Sequence, residues 1–296
     1  MKVLLSGASG FIGTALGAAL RAAGHQVTPL VRAQPAPAGA VSWDPQRGEI
    51  DAVALAGHDA AIHLAGEPIA ARWTADRKQH ILESRVQSTR LLAGALARLA
   101  PRPRVLVCAS AIGYYGDRGD ELLREESAPG TDFLAGVCRE WEAACAPAAQ
   151  AGIRVINLRT GIVLSTKGGA LPKMLPPFRL GVGGVLGSGR QWMSWIALDD
   201  LLAAYQFALT NDTLAGPVNA VAPNPVTNRN FTKTLGRVLR RPTIFPVPAL
   251  VIGLLFGEMG RSVLLGSQRV EPARLSAAGF RFQYAELEPA LRHLLP

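Results

Sequence analysis

A chain of 296 residues, 49% of them hydrophobic and 18% charged, is long enough to bury a large core, and this balance excludes a disordered chain. The net charge is +9, yet the arginines are scattered, with no basic run and no interleaved aromatics. That pattern argues for a soluble arginine-rich face plus an anionic-ligand site, and against a nucleic-acid partner.

The first strand is read at Val3–Leu5, an apolar run too short for a helix. Gly7, Gly10 and Gly13 follow at three-residue spacing, then Phe11, Ile12, Leu16 and Leu20 form a helical stripe. Strand, glycine turn and helix in this order make a pyrophosphate cradle. Bare glycine backbone lets the ligand approach, and the helix N-terminus offers free N–H groups around Ser9, Phe11 and Ile12. Gly13 lets the helix pack close to the strand.

Gln26–Val31 is the second strand and ends at Arg32. No Asp or Glu occurs between Met1 and Val41 to hold a ribose 2′-hydroxyl, whereas Arg32 suits a 2′-phosphate. NADP(H) is therefore expected in preference to NAD(H). A third strand is placed at Val41–Pro45, and a buried one at Asp59–Gly66, whose small end, Leu64, Ala65 and Gly66, allows close approach of a cofactor. His63, between Ile62 and Leu64, reads as a core histidine. A helix over Asp76–Leu99 precedes a strand at Val105–Cys108, followed by Ser110 and the run Ile112–Gly116. Further elements are expected at Phe133–Ala149 (helix), Arg154–Leu158 (strand), Leu201–Leu209 and Asn230–Leu239 (helices), with short helices at Pro272–Ala278 and Glu286–Leu294. The alternation implies an α/β, doubly wound parallel sheet. From Thr160 the chain turns glycine- and proline-rich and reads as a smaller substrate-side lobe.

Cys108, Cys138 and Cys145 lack metal-ligand spacing, so free thiols in a reducing cytoplasm and no metal are expected. Cys138 and Cys145, seven apart, are placed on one face of a helix. The chain starts in a strand, leaving no room for a secretory leader. Its longest apolar stretch near the C-terminus, Val247–Phe256, is broken by Pro248 and too short to span a membrane.

Several motifs line up beyond the glycine turn. They are Trp43-Asp-Pro45, His63-Leu-Ala-Gly-Glu67, Arg72-Trp-Thr74, Ser84-Arg-Val86, Tyr114-Tyr-Gly-Asp117, Leu158-Arg-Thr-Gly-Ile-Val-Leu-Ser165 and Gly187 through Asp200. Together they resemble the atypical short-chain dehydrogenase/reductases (SDR) of the "epimerase family", NAD(P)-dependent epimerase/dehydratase-like proteins with a C-terminal domain of unknown function. Arg85 stands where the wider group has asparagine, and Ala197 where a histidine is expected. The resemblance implies a Rossmann-type NAD(P)-binding domain over 1–240, with substrate-side loops from about 160, and a small, mostly helical segment over 248–295. It also implies a small-molecule substrate and admits a homodimer paired through two long helices of each copy.

Extended SDR enzymes use a Tyr and a Lys four residues later on one helix face. No Tyr-x-x-x-Lys exists here; Tyr114, Tyr115, Tyr205 and Tyr284 are followed at that spacing by Arg118, Gly119, Leu209 and Glu288. Matching Glu142 to the family glutamate puts Leu134 and Cys138 at the two positions; a shift of one gives Phe133 and Val137. Ser110 and Tyr115 (or Tyr114) are then the candidates for proton transfer. The plain alternative is that Ser110 bonds backbone and the tyrosines pack against the cofactor. Lys167 and Arg159 are candidates for phosphate contact, against simple surface placement. The expected function is an NADP(H)-dependent oxidoreductase or epimerase-like enzyme acting on a small carbonyl, alcohol or sugar nucleotide. A non-catalytic NADP(H)-binding sensor or scaffold is the alternative.

Overall fold

A computed structural model describes residues 1–295. The first half runs β1 (Lys2–Ser6), α1 (Phe11–Ala22), β2 (Gln26–Val31), β3 (Val41–Asp44), β4 (Glu49–Ile50), β5 (Ala60–His63), α2 (Ala75–Ala97), β6 (Val105–Ala111), β7 (Leu122–Leu123) and α3 (Phe133–Ala143). It continues through α4 (Ala146–Gln150), β8 (Arg154–Thr160), β9 (Ile162–Leu164), α5 (Leu171–Arg179), β10 (Trp192–Met193), β11 (Trp195–Ala197), α6 (Leu198–Thr210) and β12 (Gly216–Ala220). The remainder is β13 (Val226–Thr227), α7 (Asn228–Leu239), α8 (Ala249–Met259), β14 (Arg269–Val270), α9 (Ala273–Ala277) and α10 (Leu287–Leu294).

Eight strands form one sheet in the order β12-β8-β6-β5-β1-β2-β3-β4. All pairs are parallel except the edge hairpin β3–β4. The winding reverses between β1 and β5, which opens a crevice at their C-terminal ends. Successive side chains serve opposite faces. Val3 and Leu5 pack with Leu16 and Leu20 of α1 and with Leu201, Ala204 and Tyr205 of α6. Leu4 faces the other way, against Leu92, Ala93 and Leu96 of α2 and Trp141 of α3. The near-continuous apolar strands are thus a consequence of helices covering both faces.

Several boundaries differ from the sequence reading, among them the strand expected over Asp59–Gly66, which stops at His63. The helix expected over Phe133–Ala149 is two helices, broken at Ala144–Cys145 just before Pro147. Proline lacks the N–H and crowds the carbonyl four residues back, so the helix cannot run through it. Cys145 therefore caps α4 while Cys138 lies in α3, although both are buried free thiols. The strands expected to end at Cys108 and Leu158 run on to Ala111 and Thr160, because the two pair to their ends.

The C-terminal lobe has its own core, in which α5, α7 and α10 close around Trp195 and Phe231. The last segment is stitched back into the rest: β14 pairs with β7, Leu275 of α9 enters the sheet core, and Met259 packs against Trp73 and Val137. No helix among the described residues is long and apolar enough to cross a membrane.

Candidate active site

The glycine turn lies at the winding reversal. Gly7 has φ +67°, and a Cβ there would sit 2.9 Å from the Leu64 carbonyl carbon. This is where β1 and the Leu64–Ala65 segment touch, and only a glycine permits both the dihedral and the approach. Gly10 caps α1 without any side-chain hydrogen bond. The amides of Phe11, Ile12 and Gly13 have no acceptor among the described residues, as expected for a helix's first turn. Ser9 and Gly10 are exposed beside them. The turn therefore presents an open row of donors at a positive dipole end, a seat for a phosphate.

Two further loops reach this turn. Phe11 lies under the Gly168–Gly169 loop, where a Cβ on Gly168 would fall 2.4 Å from the ring. Lys167, the residue before that loop's glycines, is exposed. On the other flank, Ser6 is paired with Leu30, so Arg32 leaves the sheet level with Ala8. Arg32 is exposed and has no hydrogen-bond or ion-pair partner among the described residues.

His63 is the core histidine expected. It is fully buried, with Nδ1 2.6 Å from Ser6 Oγ and Nε2 3.2 Å from Ser88 Oγ. Ser6 Oγ also accepts the Leu64 amide at 3.1 Å, so this trio anchors the segment Leu64, Ala65 and Gly66 at the crevice. Burial drives the imidazole pKa down from 6.5 to about 3. The unfolded chain takes up a proton below pH 6.5 while the native state does not. Stability is therefore complete above pH 6.5 and lost as the pH falls toward about 3. At pH 5 the loss from this group is expected to be about 2 kcal/mol. Urea unfolding at pH 7 and pH 5 checks it: the His63→Asn variant should show a flatter dependence, and identical slopes would remove His63 as the cause.

The second half of the site is one rung of the sheet. Ser110 on β6 lies opposite Arg159 on β8, which lies opposite Asn219 on β12. Ser110 Oγ donates to Glu142 Oε1 of α3 at 2.7 Å. Arg159 clamps the same carboxylate with two bonds of 2.8 Å, from Nε and Nη2. Its Nη1 donates to Tyr115 Oη at 3.1 Å and to the Glu125 carbonyl at 3.2 Å. Tyr115 Oη in turn donates to Asn219 Oδ1 at 2.7 Å. The Arg159 side chain is 3% exposed and that of Glu142 13%.

This network places two sequence candidates differently from their expected roles. Arg159, put forward for a phosphate, is buried and has four of its five N–H groups taken within the protein. Tyr115, put forward for proton transfer, is fully buried, and burial pushes its hydroxyl up to about 12 against the opposing pull of Arg159 and Asn219. Tyr114 is only partly buried and stacks its ring on the Arg159 guanidinium at 3.4 Å. Ser110 is 4% exposed and sits nearest the strand end. On α3, Leu134 and Cys138 pack beneath Gly113, Val137 is buried, and Phe133 lies under Lys78 Nζ at 5.1 Å. Neither register of that helix provides a proton donor. Ala197 is fully buried in β11 beside β9, a position closed to a ligand. Glu142, which in the sequence only matches the family glutamate, takes its role from Arg159, a pairing that a helix pattern does not reveal.

Comparison with known proteins places this geometry. A family model described as the NAD dependent epimerase/dehydratase family matches residues 3–220, and a domain of unknown function, DUF1731, matches residues 247–294. Epimerase family protein MT2273 of Mycobacterium tuberculosis is 45% identical over 290 residues, covering 98% of this chain and 96% of that protein. Human epimerase family protein SDR39U1 is 38% identical over 299 residues, covering 100% of each. The crystal structure of human SDR39U1 (isoform 2) with NADPH superposes with a TM-score of 0.92 at 37% identity, over 99% of both chains. A nucleoside-diphosphate sugar epimerase from Corynebacterium glutamicum gives 0.83 at 41% identity, over 99% of this chain and 58% of that one. With the epimerase model spanning most of its length and relatives aligned end to end, the chain belongs to the NAD dependent epimerase/dehydratase family, with a DUF1731 segment at its C-terminal end.

Proposed function

We propose that this protein is an NADP(H)-dependent oxidoreductase or epimerase-like enzyme of the atypical SDR type, acting on a small carbonyl, alcohol or sugar-nucleotide substrate. The observation that carries the reading is the open glycine turn at the winding reversal with an unpartnered Arg32 level with it. The residues fit a phosphorylated dinucleotide. Gly7, Ser9, Gly10, Phe11, Ile12 and Gly13 form the pyrophosphate seat, Leu64, Ala65 and Gly66 form the wall, and Arg32 holds the 2′-phosphate. The human relative crystallised with NADPH supports this choice. Bound nicotinamide would supply or accept hydride. Ser110 is the hydroxyl that meets the substrate, while Tyr115 and Arg159 hold Glu142 and the strand ends in place. Because the Ser110 proton is committed to Glu142, toward a substrate the hydroxyl acts as an acceptor, for a donor such as an alcohol offers.

Arg32→Ala tests the cofactor choice. The wild type is expected to bind NADPH more tightly than NADH, by the ~1.5–3 kcal/mol of a charge-assisted pair, or about one to two orders of magnitude. The variant should lose most of that preference by weakening NADPH alone. Titration calorimetry decides it; equal wild-type affinities would remove the role given to Arg32.

A second reading, a non-catalytic NADP(H)-binding sensor or scaffold, draws on one specific observation: the tyrosine hydroxyl nearest the site is closed inside the protein. The ultraviolet spectrum of protein carrying reduced cofactor separates the two. Oxidation on adding particular carbonyls speaks for the enzyme, and inertness to a broad panel for the sensor.

A further inference from the structure

Arg85 is the cation of this region that the protein itself does not satisfy. It projects from α2, and its guanidinium carbon lies 5.0 Å over the Trp141 ring. A Cβ on Gly66 would fall 3.2 Å from the same carbon, so the group lies flat against the end of the β5 segment. Trp141 belongs to α3, whose Cys138 packs beneath Gly113 just past the end of β6. The guanidinium therefore stands between Gly66, at the end of the Leu64–Gly66 wall, and Trp141 of α3, the residue before the Glu142 that holds Ser110.

Its bonding is sparse. Nη1 donates to the Ile81 carbonyl at 3.0 Å, and no other protein acceptor is engaged among the described residues. Nε and Nη2 donate to no protein acceptor among the described residues, and the side chain is only partly buried. No carboxylate pairs with it either: neighbouring Glu67 is taken by Arg77 at 3.4 Å, and Glu142 is held by Arg159. Burial lowers the Arg85 pKa; Cys138 and Glu67 oppose that shift, and Arg77 adds to it. Arg159, more deeply buried but paired with Glu142, moves the opposite way. A half-buried guanidinium without a counter-charge is costly, and a planar fork with open donors matches an oxyanion bidentately.

We propose that Arg85 is a substrate-binding residue that takes an oxyanion, a carboxylate or phosphate, beside the nicotinamide end of the site. This rests on the reading above that cofactor and substrate meet at the ends of β5 and β6. The shared chemistry is that of an oxyanion, and its two sources, the substrate and the cofactor's own phosphates, separate in one experiment. Protein loaded with NADP⁺ is titrated with inorganic phosphate and, separately, with acetate. Tryptophan fluorescence reads the result, with a Trp141→Phe variant isolating the ring under the guanidinium.

A saturable Trp141 response is expected for at least one anion, with NADP⁺ still bound. Arg85→Gln should weaken it about tenfold or more, with NADP⁺ affinity unchanged. Arg85→Lys keeps the charge but loses the fork, and should weaken it roughly threefold to tenfold, which keeps the test alive if the glutamine variant does not fold. No saturable response, a response undiminished in both variants, or an anion that displaces NADP⁺ would overturn the proposal. If NADP⁺ itself does not bind, the cofactor reading fails separately, and the same anion titration on the cofactor-free protein still judges Arg85.

Discussion

Alanine at Gly13 is expected to destabilise the whole first βα unit, whereas valine at Gly10 should leave the fold standing and abolish NADPH binding. A Cβ on Gly13 would lie 2.0 Å from the Gly7 carbonyl oxygen, 2.8 Å from its carbon and 2.9 Å from the Ala8 Cα. All three are backbone atoms of a turn that Gly7 already holds at φ +67°, so nothing flexible can yield. Gly13 is therefore required by the packing of α1 on β1, independently of any ligand. Overpacking of this kind costs about 3 kcal/mol or more. At Gly10 the only close atom is the Gly7 oxygen, 3.2 Å from the added Cβ, and the backbone (φ −76°, ψ 171°) suits a β-branched residue. The valine methyls would occupy the open side of the turn, the pyrophosphate seat proposed above, and the stability cost should stay at ~1–2 kcal/mol. Urea unfolding and NADPH titration on both variants give the pattern. Unchanged NADPH affinity in Gly10→Val would move the phosphate seat elsewhere, and a stable Gly13→Ala would mean that α1 can slide away from β1.

The second large effect is expected at Glu142. Glu142→Ala removes the counter-charge of Arg159, whose side chain is 3% exposed, and leaves Ser110 without its acceptor. Breaking a buried pair from one side costs about 3–5 kcal/mol, because the surviving charge stays out of water. Replacing both partners by apolar residues removes that penalty, so Glu142→Leu with Arg159→Met should recover most of the loss, with a coupling energy of about 2 kcal/mol or more. Equilibrium denaturation of the two single variants and the double variant reads this coupling. Single-variant losses below about 1 kcal/mol would mean that the pair is effectively solvated. The same cycle bears on Ser110: with Glu142 gone its hydroxyl rotor is free, so a purely structural pair and a site-orienting one part company once a turnover assay exists.

Much of the cofactor half was legible in the residues themselves. A three-residue glycine spacing after an apolar run, the absence of any acid before Asp44, and a histidine flanked by Ile62 and Leu64 are local facts. Two of their consequences, a tight turn and a neutral buried imidazole, follow from short-range sterics and desolvation, and the missing acid is what the proposed 2′-phosphate preference rests on. Even the helix break at Cys145 was written in Pro147, but the apolar period on either side hid it.

The rung around Ser110 was decided only by the tertiary structure. Ser110, Arg159 and Asn219 lie 49 and 60 positions apart in the chain, and only the parallel register of β6, β8 and β12 puts them on one rung. Once there, Arg159 must find a counter-charge because it is out of water, and α3 supplies Glu142. That pairing closes Tyr115 inside the protein and turns a candidate phosphate ligand into a brace. Arg85 has no such partner and lies against Gly66. Sequence by itself determined the turn and the strands, because their chemistry is carried by neighbours in the chain. Which charges are satisfied within the protein and which remain open to a ligand depends on long-range pairing, and no spacing of residues encodes it.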